Sequence, residues 1–244
     1  MNEATRCNEL GQPLGPALPD WQPPPRPAQQ ALPGRFCRVE PLDVARHARE
    51  LFDANGQDRE QRMWTYLFSG PFASFEEYAR WLAERATGTD PLFRAFVDLS
   101  SGHAVGIGAF MRIDPAAGSI EVGHIAMSPL LQRSAAATEA MYLMMRHAFE
   151  LGYRRYEWKC DALNAKSRRA AERLGFTFEG VFRQATVYKG RSRDTAWYSI
   201  IDQEWPVART AFERWLDRDN FDATGLQRAS LMDIRRSLRQ HQPR

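Results

Sequence analysis

Residues 130–152, LLQRSAAATEAMYLMMRHAFELG, set a short turn of small residues directly before a long apolar-faced helix, and no other stretch constrains the chain as much. A helix start leaves its first N–H groups without intrahelical partners. Gln132 to Ala137 put little bulk in front of those groups, so the turn suits an anion, and a pyrophosphate is the anion best shaped to take several at once. Upstream, SIEVGHIAMSP reads as a strand that delivers the chain to the turn and is stopped by Pro129. Strand, anion-binding turn and helix make a cofactor cradle. Composition alone also allows an ordinary alanine-rich helix start.

The rest of the chain alternates strand and helix signals. After Gly34, RFCRVEPL alternates as a strand, and Asp43 caps a helix with Val44, Ala48, Leu51 and Phe52 at helical spacing. SFEEYARWLAERATG carries a capping box from Ser74 to Glu77 and stops at Gly88. Residues 92 to 127 give three strand-like runs broken at Ser101-Gly102 and Ala117-Gly118, an antiparallel meander. YRRYEWKCD alternates Tyr156, Trp158 and Cys160 against Arg155, Glu157 and Lys159 and should lie beside the Glu121 strand. Asn164 opens a helix that Gly175 ends, and FTFEGVF with TAWYSIIDQEW form a last strand pair before a helical end.

The turn resembles the acyl-CoA-binding motif of the GNAT acetyltransferases, a Gln/Arg-x-x-Gly-x-Gly/Ala turn, with Gln132, Ala135 and Ala137 at the signature positions. DALNAKSRRAAERLGFTFEGVFRQ and GRSRDTAWYSIIDQEW are similar to the closing half of the RimJ/RimL-type branch, so the resemblance spans residues 35 to 206. It implies an α/β fold of mixed α+β type, a central, mostly antiparallel mixed sheet flanked by helices. The single catalytic domain would lie between a proline-rich arm, 1–34, and a helical C-terminal extension, 207–244. Arg133 and Ala135 stand where the family usually has glycine; their Cβ atoms disfavour positive φ, although Arg133 offers the pyrophosphate a cation.

The implied reaction is acetyl transfer from acetyl-CoA to a primary amine, by direct attack on the thioester, and it implies roles for particular residues. Backbone and side-chain groups of Gln132, Arg133, Ser134, Ala135, Ala136, Ala137 and Thr138 would hold the pyrophosphate, and Asn164 and Ser167 would contact the pantetheine end. The strand carrying Glu121 and the strand after it would splay apart to admit acyl-CoA. N–H groups near Ala126 and Met127 would hold the oxyanion. An amine nucleophile must lose a proton, since a lysine amine has a pKa near ~10.4. Glu121 holds the position of the family's base glutamate, and its competing reading is a cross-strand ion pair. His124 is the rival base, but strict alternation sets it opposite Glu121, Gly123, Ile125 and Met127 and favours a packed structural histidine. The family's acid tyrosine is replaced by Ala171, leaving Ser167 to assist thiolate departure; as a first-turn serine it has a structural reading too. Asn164 is also an ordinary N-cap. A catalytically impaired acyl-CoA-binding regulator or scaffold is the alternative.

Bulk properties bound the rest. The 244 residues, 43% hydrophobic, can bury one sizeable core, and a net charge of +3 is too small to argue for nucleic acid. Arg228, Arg235, Arg236, Arg239 and Arg244 make the tail locally basic, read as a solvated helix face. Cys7, Cys37 and Cys160 are scattered with no ligand spacing, which indicates neither zinc nor disulfides and fits a reducing cytoplasm. No membrane span or secretory leader is expected. Residues 11 to 34 are proline-rich and should run extended, with Trp21 anchoring the arm on the core; the arm and the C-terminal helix could build a homodimer contact. An acceptor, small amine or protein N-terminus, would enter near Trp64, Thr65 and Tyr66 with GRSRDTAWY flanking it, while Trp64, Tyr66, Phe68 and Phe72 could equally be core.

Overall fold

The computed structural model describes residues 7–240, so Arg244 of the basic tail lies outside the described residues. Its strands are β1 (Leu32–Pro33), β2 (Cys37–Pro41), β3 (Leu92–Asp98), β4 (Ala104–Asp114), β5 (Ser119–Met127), β6 (Arg155–Asp161), β7 (Thr177–Tyr188) and β8 (Arg191–Ile201). Its helices are α1 (Val44–Asn55), α2 (Phe75–Ala86), α3 (Ala135–Glu150), α4 (Ala165–Leu174), α5 (Trp205–Leu216) and α6 (Leu231–Gln240). The strands form one sheet in the order β1-β2-β3-β4-β5-β6-β8-β7. Every neighbouring pair is antiparallel except β5 and β6, giving the expected mostly antiparallel mixed sheet.

The helix starts follow the cap chemistry. The Asp43 side chain accepts from Arg46 N–H at 3.3 Å, and Ser74 Oγ accepts from Glu77 N–H at 3.2 Å. Glu77 completes the capping box one residue early, taking the N–H of Ala73 at 2.9 Å. Gly175, at φ 109°, ends α4 in the left-handed region open to glycine.

The sheet has a core on each face. One gathers α3 and α5 with Phe110, Val122, Tyr156, Trp158 and Tyr198. In it Tyr142 of α3 stacks on Phe212 of α5 at 5.2 Å, so the C-terminal extension supplies part of the main core. The other gathers Leu51 of α1, Tyr78 and Leu82 of α2, Phe93, Ile107 and Trp64. Fully burying side chains such as Leu51 and Leu82 contributes about 1.5–3 kcal/mol each before entropy is counted. Trp64 is therefore core, edge-on to Phe72 at 5.3 Å.

The arm lies against the domain. Trp21 packs over Gly118, where any side chain would collide with the indole, and the Arg154 guanidinium lies 5.7 Å from its ring. Buried Arg94 donates to the carbonyls of Ala28 and Gln30, at 2.5 and 3.0 Å. Glu139 of α3 accepts the N–H groups of Arg35, Phe36 and Cys37 at 2.6–2.8 Å. The basic tail is less solvated than its composition suggests. Arg235 donates to the last carbonyls of α4, Glu172 and Arg173, at 3.0 Å each, and so caps that helix with a cation.

Candidate active site

Parallel pairing of β5 with β6 runs from Ser119–Arg155 to Val122–Trp158 and stops there, while β5 continues to Met127 and β6 to Asp161. The strands therefore part beyond Val122, as a splayed acyl-CoA cleft requires. Ser128 N–H donates back to Val105 on β4 at 3.1 Å, so the alternation of a strand turns the Met127 N–H the other way, toward the gap. The same phase sends the Ala126 N–H toward β4, leaving Met127 the better-placed donor of the two.

Past the gap the chain makes the turn. Arg133 takes φ 62°, so it adopts the left-handed conformation that its Cβ disfavours and that a glycine would adopt freely. Gln132 Nε2 holds the Met127 carbonyl at 2.8 Å. Ser134 is the N-cap of α3: its Oγ takes the Ala137 N–H at 3.0 Å and donates to the Leu131 carbonyl at 2.7 Å. Among the described residues no acceptor meets the N–H groups of Arg133, Ala135 or Ala136. A left-handed residue followed by unpaired amides at a helix start is the donor set a pyrophosphate needs, so the turn fits acetyl-CoA. Thr138 is committed elsewhere, its hydroxyl accepting from Arg173 of α4 at 3.0 Å.

Glu121 is 3% exposed and lies in an ion-pair ladder that crosses the sheet on the α1/α2 face. Its Oε2 meets Arg112 at 2.6 Å and Lys159 at 2.9 Å; Lys159 reaches on to Glu157 at 2.7 Å, and Arg155 joins Glu157 to Glu179. The cross-strand reading of Glu121 is thus realised. Its Oε1 faces Gly123 and has no hydrogen-bond partner among the described residues, so one carboxylate oxygen stays open to a ligand. Burial works to raise the pKa of Glu157, but Lys159 and Arg155 outweigh it and hold this carboxyl below its ordinary value. Lys159 lies 3.7 Å from the Trp197 ring centre, which keeps its ammonium in place.

His124 corrects the expectation from alternation. The register between β4 and β5 shifts between Ile107 and Ala109, and His124 takes φ 49°, a bulge that reverses the phase of the strand. Its ring lies 5.0 Å from Phe93 in the α1/α2 core, on the face of Glu121, whereas Ile125 and Met127 pack into the α3 core. Burial, then Arg85 and Arg112, lower its pKa and favour neutral imidazole. No protein group bonds its nitrogens among the described residues. Gly123, just before the bulged residue, is the one sequence signal for it.

Asn164 Oδ1 accepts from Ser167 N–H at 3.1 Å, the cap that its position predicts. Ser167 Oγ accepts from Trp158 Nε1 at 3.0 Å, which fixes the hydroxyl at the open end of β6, where it also hydrogen-bonds the Cys160 sulfur. Ala171 is fully buried and offers no acid.

Loop 62–68 meets the β7–β8 hairpin through contacts that the sequence located only in outline. The β7–β8 hairpin runs further than its two apolar runs, turning at Lys189-Gly190. Lys189 Nζ donates to the Trp64 carbonyl at 2.7 Å, and Phe68 packs against Tyr188 at 5.3 Å. Tyr66 bonds the Leu163 carbonyl at 3.3 Å. Tyr188 donates to Asp161 at 2.8 Å; burial and that carboxylate push its phenol up to about 12, so it stays a proton donor at neutral pH. Loop 62–68 thus packs against the hairpin tip and, through Tyr66, against the segment after β6, and the turn signal Lys189-Gly190 is the clue that could have found this contact.

The acetyltransferase (GNAT) domain signature matches residues 38–177. A GCN5-related N-acetyltransferase from Brucella melitensis is similar at 48% identity and TM-score 0.88, over 90% of this chain and 100% of that one. A probable acetyltransferase of the GNAT family from Chromobacterium violaceum is similar at 40% identity and TM-score 0.75, over 80% and 97% of the two chains. At 20% identity and TM-score 0.60, the acetyl transferase from Salmonella typhimurium that modifies the N-terminal serine of ribosomal protein L7/L12 shares the fold, over 70% of this chain and 98% of that one. No curated protein matches the chain. With its signature, its splayed β5 and β6 and its amide-lined turn, the chain belongs to the GNAT acetyltransferase family.

Proposed function

We propose that the protein acetylates a primary amine, a protein N-terminus or a small amine, with acetyl-CoA as donor. The observation that carries this reading is the cradle: Arg133 at φ 62°, with unpaired amides at the start of α3, beside strands that part beyond Val122 and Trp158. It supports retained donor binding despite the missing glycines and weighs against the impaired-scaffold alternative.

Bound acetyl-CoA supplies an activated acetyl thioester. The amides of Arg133, Ala135 and Ala136 hold its pyrophosphate, with Gln132, Ser134, Ala137 and Thr138 shaping the turn and Asn164 ordering the pantetheine end. The amine enters between loop 62–68 and the β7–β8 tip. Glu121, through Oε1 and a water, takes the proton as the C–N bond forms, and Arg112 and Lys159 keep that carboxylate fixed. The Met127 N–H, with Ala126 beside it, steadies the developing oxyanion. Ser167 donates to the departing sulfur; a thiol of pKa near ~8.5 does not require a stronger acid. A second reading rests on the bulge, which sets neutral His124 on the same face as a competing proton acceptor. Among acceptors, the RimJ/RimL-like closing half favours a protein N-terminus.

Thermal unfolding with acetyl-CoA at about 100 times its dissociation constant should show a stabilisation of ~2.7 kcal/mol. No shift at millimolar acetyl-CoA would sink the reading. Thiol release with peptide N-termini then follows, and Glu121→Gln against His124→Gln assigns the base: the larger loss of kcat marks it.

A further inference from the structure

Arg193 is 7% exposed and has no carboxylate within ion-pair distance among the described residues. Its Nε donates to Thr195 Oγ1 at 3.2 Å, and its terminal NH groups meet no acceptor among those residues. The guanidinium lies beside the touching rings of Phe68 and Tyr188, 5.1 Å and 5.6 Å from their centres. Asp161 of β6 and Asp194 of the hairpin bond other groups. Asp161 takes the Tyr188 hydroxyl and the Leu163 N–H, both at 2.8 Å, and Asp194 takes the Gln184 N–H at 2.7 Å.

The terminal NH groups keep contact with solvent, and the two rings flank the guanidinium on one side and leave its edge free. That edge is a planar fork matched to a carboxylate. Arg193 also lies on the acceptor side. Along β8, Ala196 and Tyr198 face the α3 core, so Arg193, Thr195 and Trp197 face the other way, with Lys159 beneath Trp197. The pyrophosphate turn belongs to α3, which packs on the opposite face.

We infer that the acceptor carries a carboxylate close to its amine, and that Arg193 is the residue that binds it. The reading rests on the acetyltransferase function proposed above. An amine directed to Glu121 and a carboxylate directed to Arg193 would lie across β6 from each other, the charge pattern of an amino acid or of a peptide whose N-terminal residues are acidic.

The test uses the full chain, acetyl-CoA and matched probes: free L-amino acids against their carboxamides, and Ala-Asp against Ala-Asn peptide amides. The expected result is a preference of about 10- to 100-fold in kcat/KM for the carboxylate member of one series, the range of a charge-assisted hydrogen-bond pair. In Arg193→Gln the preference collapses through KM, in Arg193→Lys part of it returns, and acetyl-CoA affinity is unchanged in both. The first series responding alone identifies a free amino acid, the second an acidic N-terminus. Equal rates for acid and amide overturn the inference, as does a preference that survives Arg193→Gln. Weakened acetyl-CoA binding in Arg193→Gln with the preference intact overturns it too, by assigning the guanidinium to the donor. Acetyl-CoA binding without turnover of any amine removes the enzyme reading itself, and this inference with it. Melting curves of both variants separate loss of fold from loss of recognition.

Discussion

Arg94 and Arg193 are both buried and both lack a carboxylate, yet they are finished differently. Arg94 spends its terminal donors on the carbonyls of Ala28 and Gln30, under the arm, and leaves its buried Nε without a partner; Arg193 bonds its Nε to Thr195, keeps its terminal donors and sits beside Phe68 and Tyr188. The same contrast runs through the carboxylates. Glu139 accepts three backbone N–H groups, while Glu121, clamped on one oxygen by Arg112 and Lys159, keeps the other open. A buried charge whose terminal groups are bonded to the backbone serves the fold; one that keeps a terminal group unbonded is available to a ligand.

The contrast can be broken by substitution. The largest expected effect is on the open side: Glu121→Gln should lower kcat by about 10²- to 10⁴-fold in a thiol-release assay while acetyl-CoA binding persists. A rate within twofold of the parent would move the base to another residue. On the closed side, Arg94→Met strands two carbonyls and should cost about 2 kcal/mol or more in denaturant unfolding. Arg193→Gln removes an unmet charge and should leave stability unchanged or higher; if it costs as much as Arg94→Met, the distinction between the two arginines fails. Ser134→Ala loses an N-cap worth about 1 kcal/mol and should weaken acetyl-CoA binding alongside, because cap and cradle share one turn.

The smallest effect concerns pH. Burial is the leading cause that lowers the pKa of His47, His124 and His147 below the ordinary 6.5. The unfolded chain therefore binds protons that the native state refuses, and stability present above about pH 6.5 should fall as pH drops below it. Melting temperatures between pH 8 and 5 measure this, and His147→Gln should flatten the curve more clearly than a change in the exposed tail.

The elements were legible because their signals are local: Asp43, Ser74 and Asn164 cap, Gly175 stops, and strand residues alternate. So was the turn before α3, since its small residues adjoin a helix start. The phase of β5 beyond Gly123 was not, because a bulge arises from how β4 and β5 twist together and His124 bears no mark of it. Nor was the clamp on Glu121, which joins β4, β5 and β6 by register that only pairing reveals. Arg193 shows the limit most clearly: in GRSRDTAWY it is one arginine of two, and only the fold leaves its fork empty.

The docking of the arm sets where the chain can be cut. A version beginning at Arg35 would keep the amides that Glu139 needs, but it would uncover the Arg94 guanidinium and the face of Gly118 on which Trp21 rests. Residues 21–34 are in effect a lining, cut to the shape of the domain, and trimming them for expression or crystallisation would leave a mould without its cast.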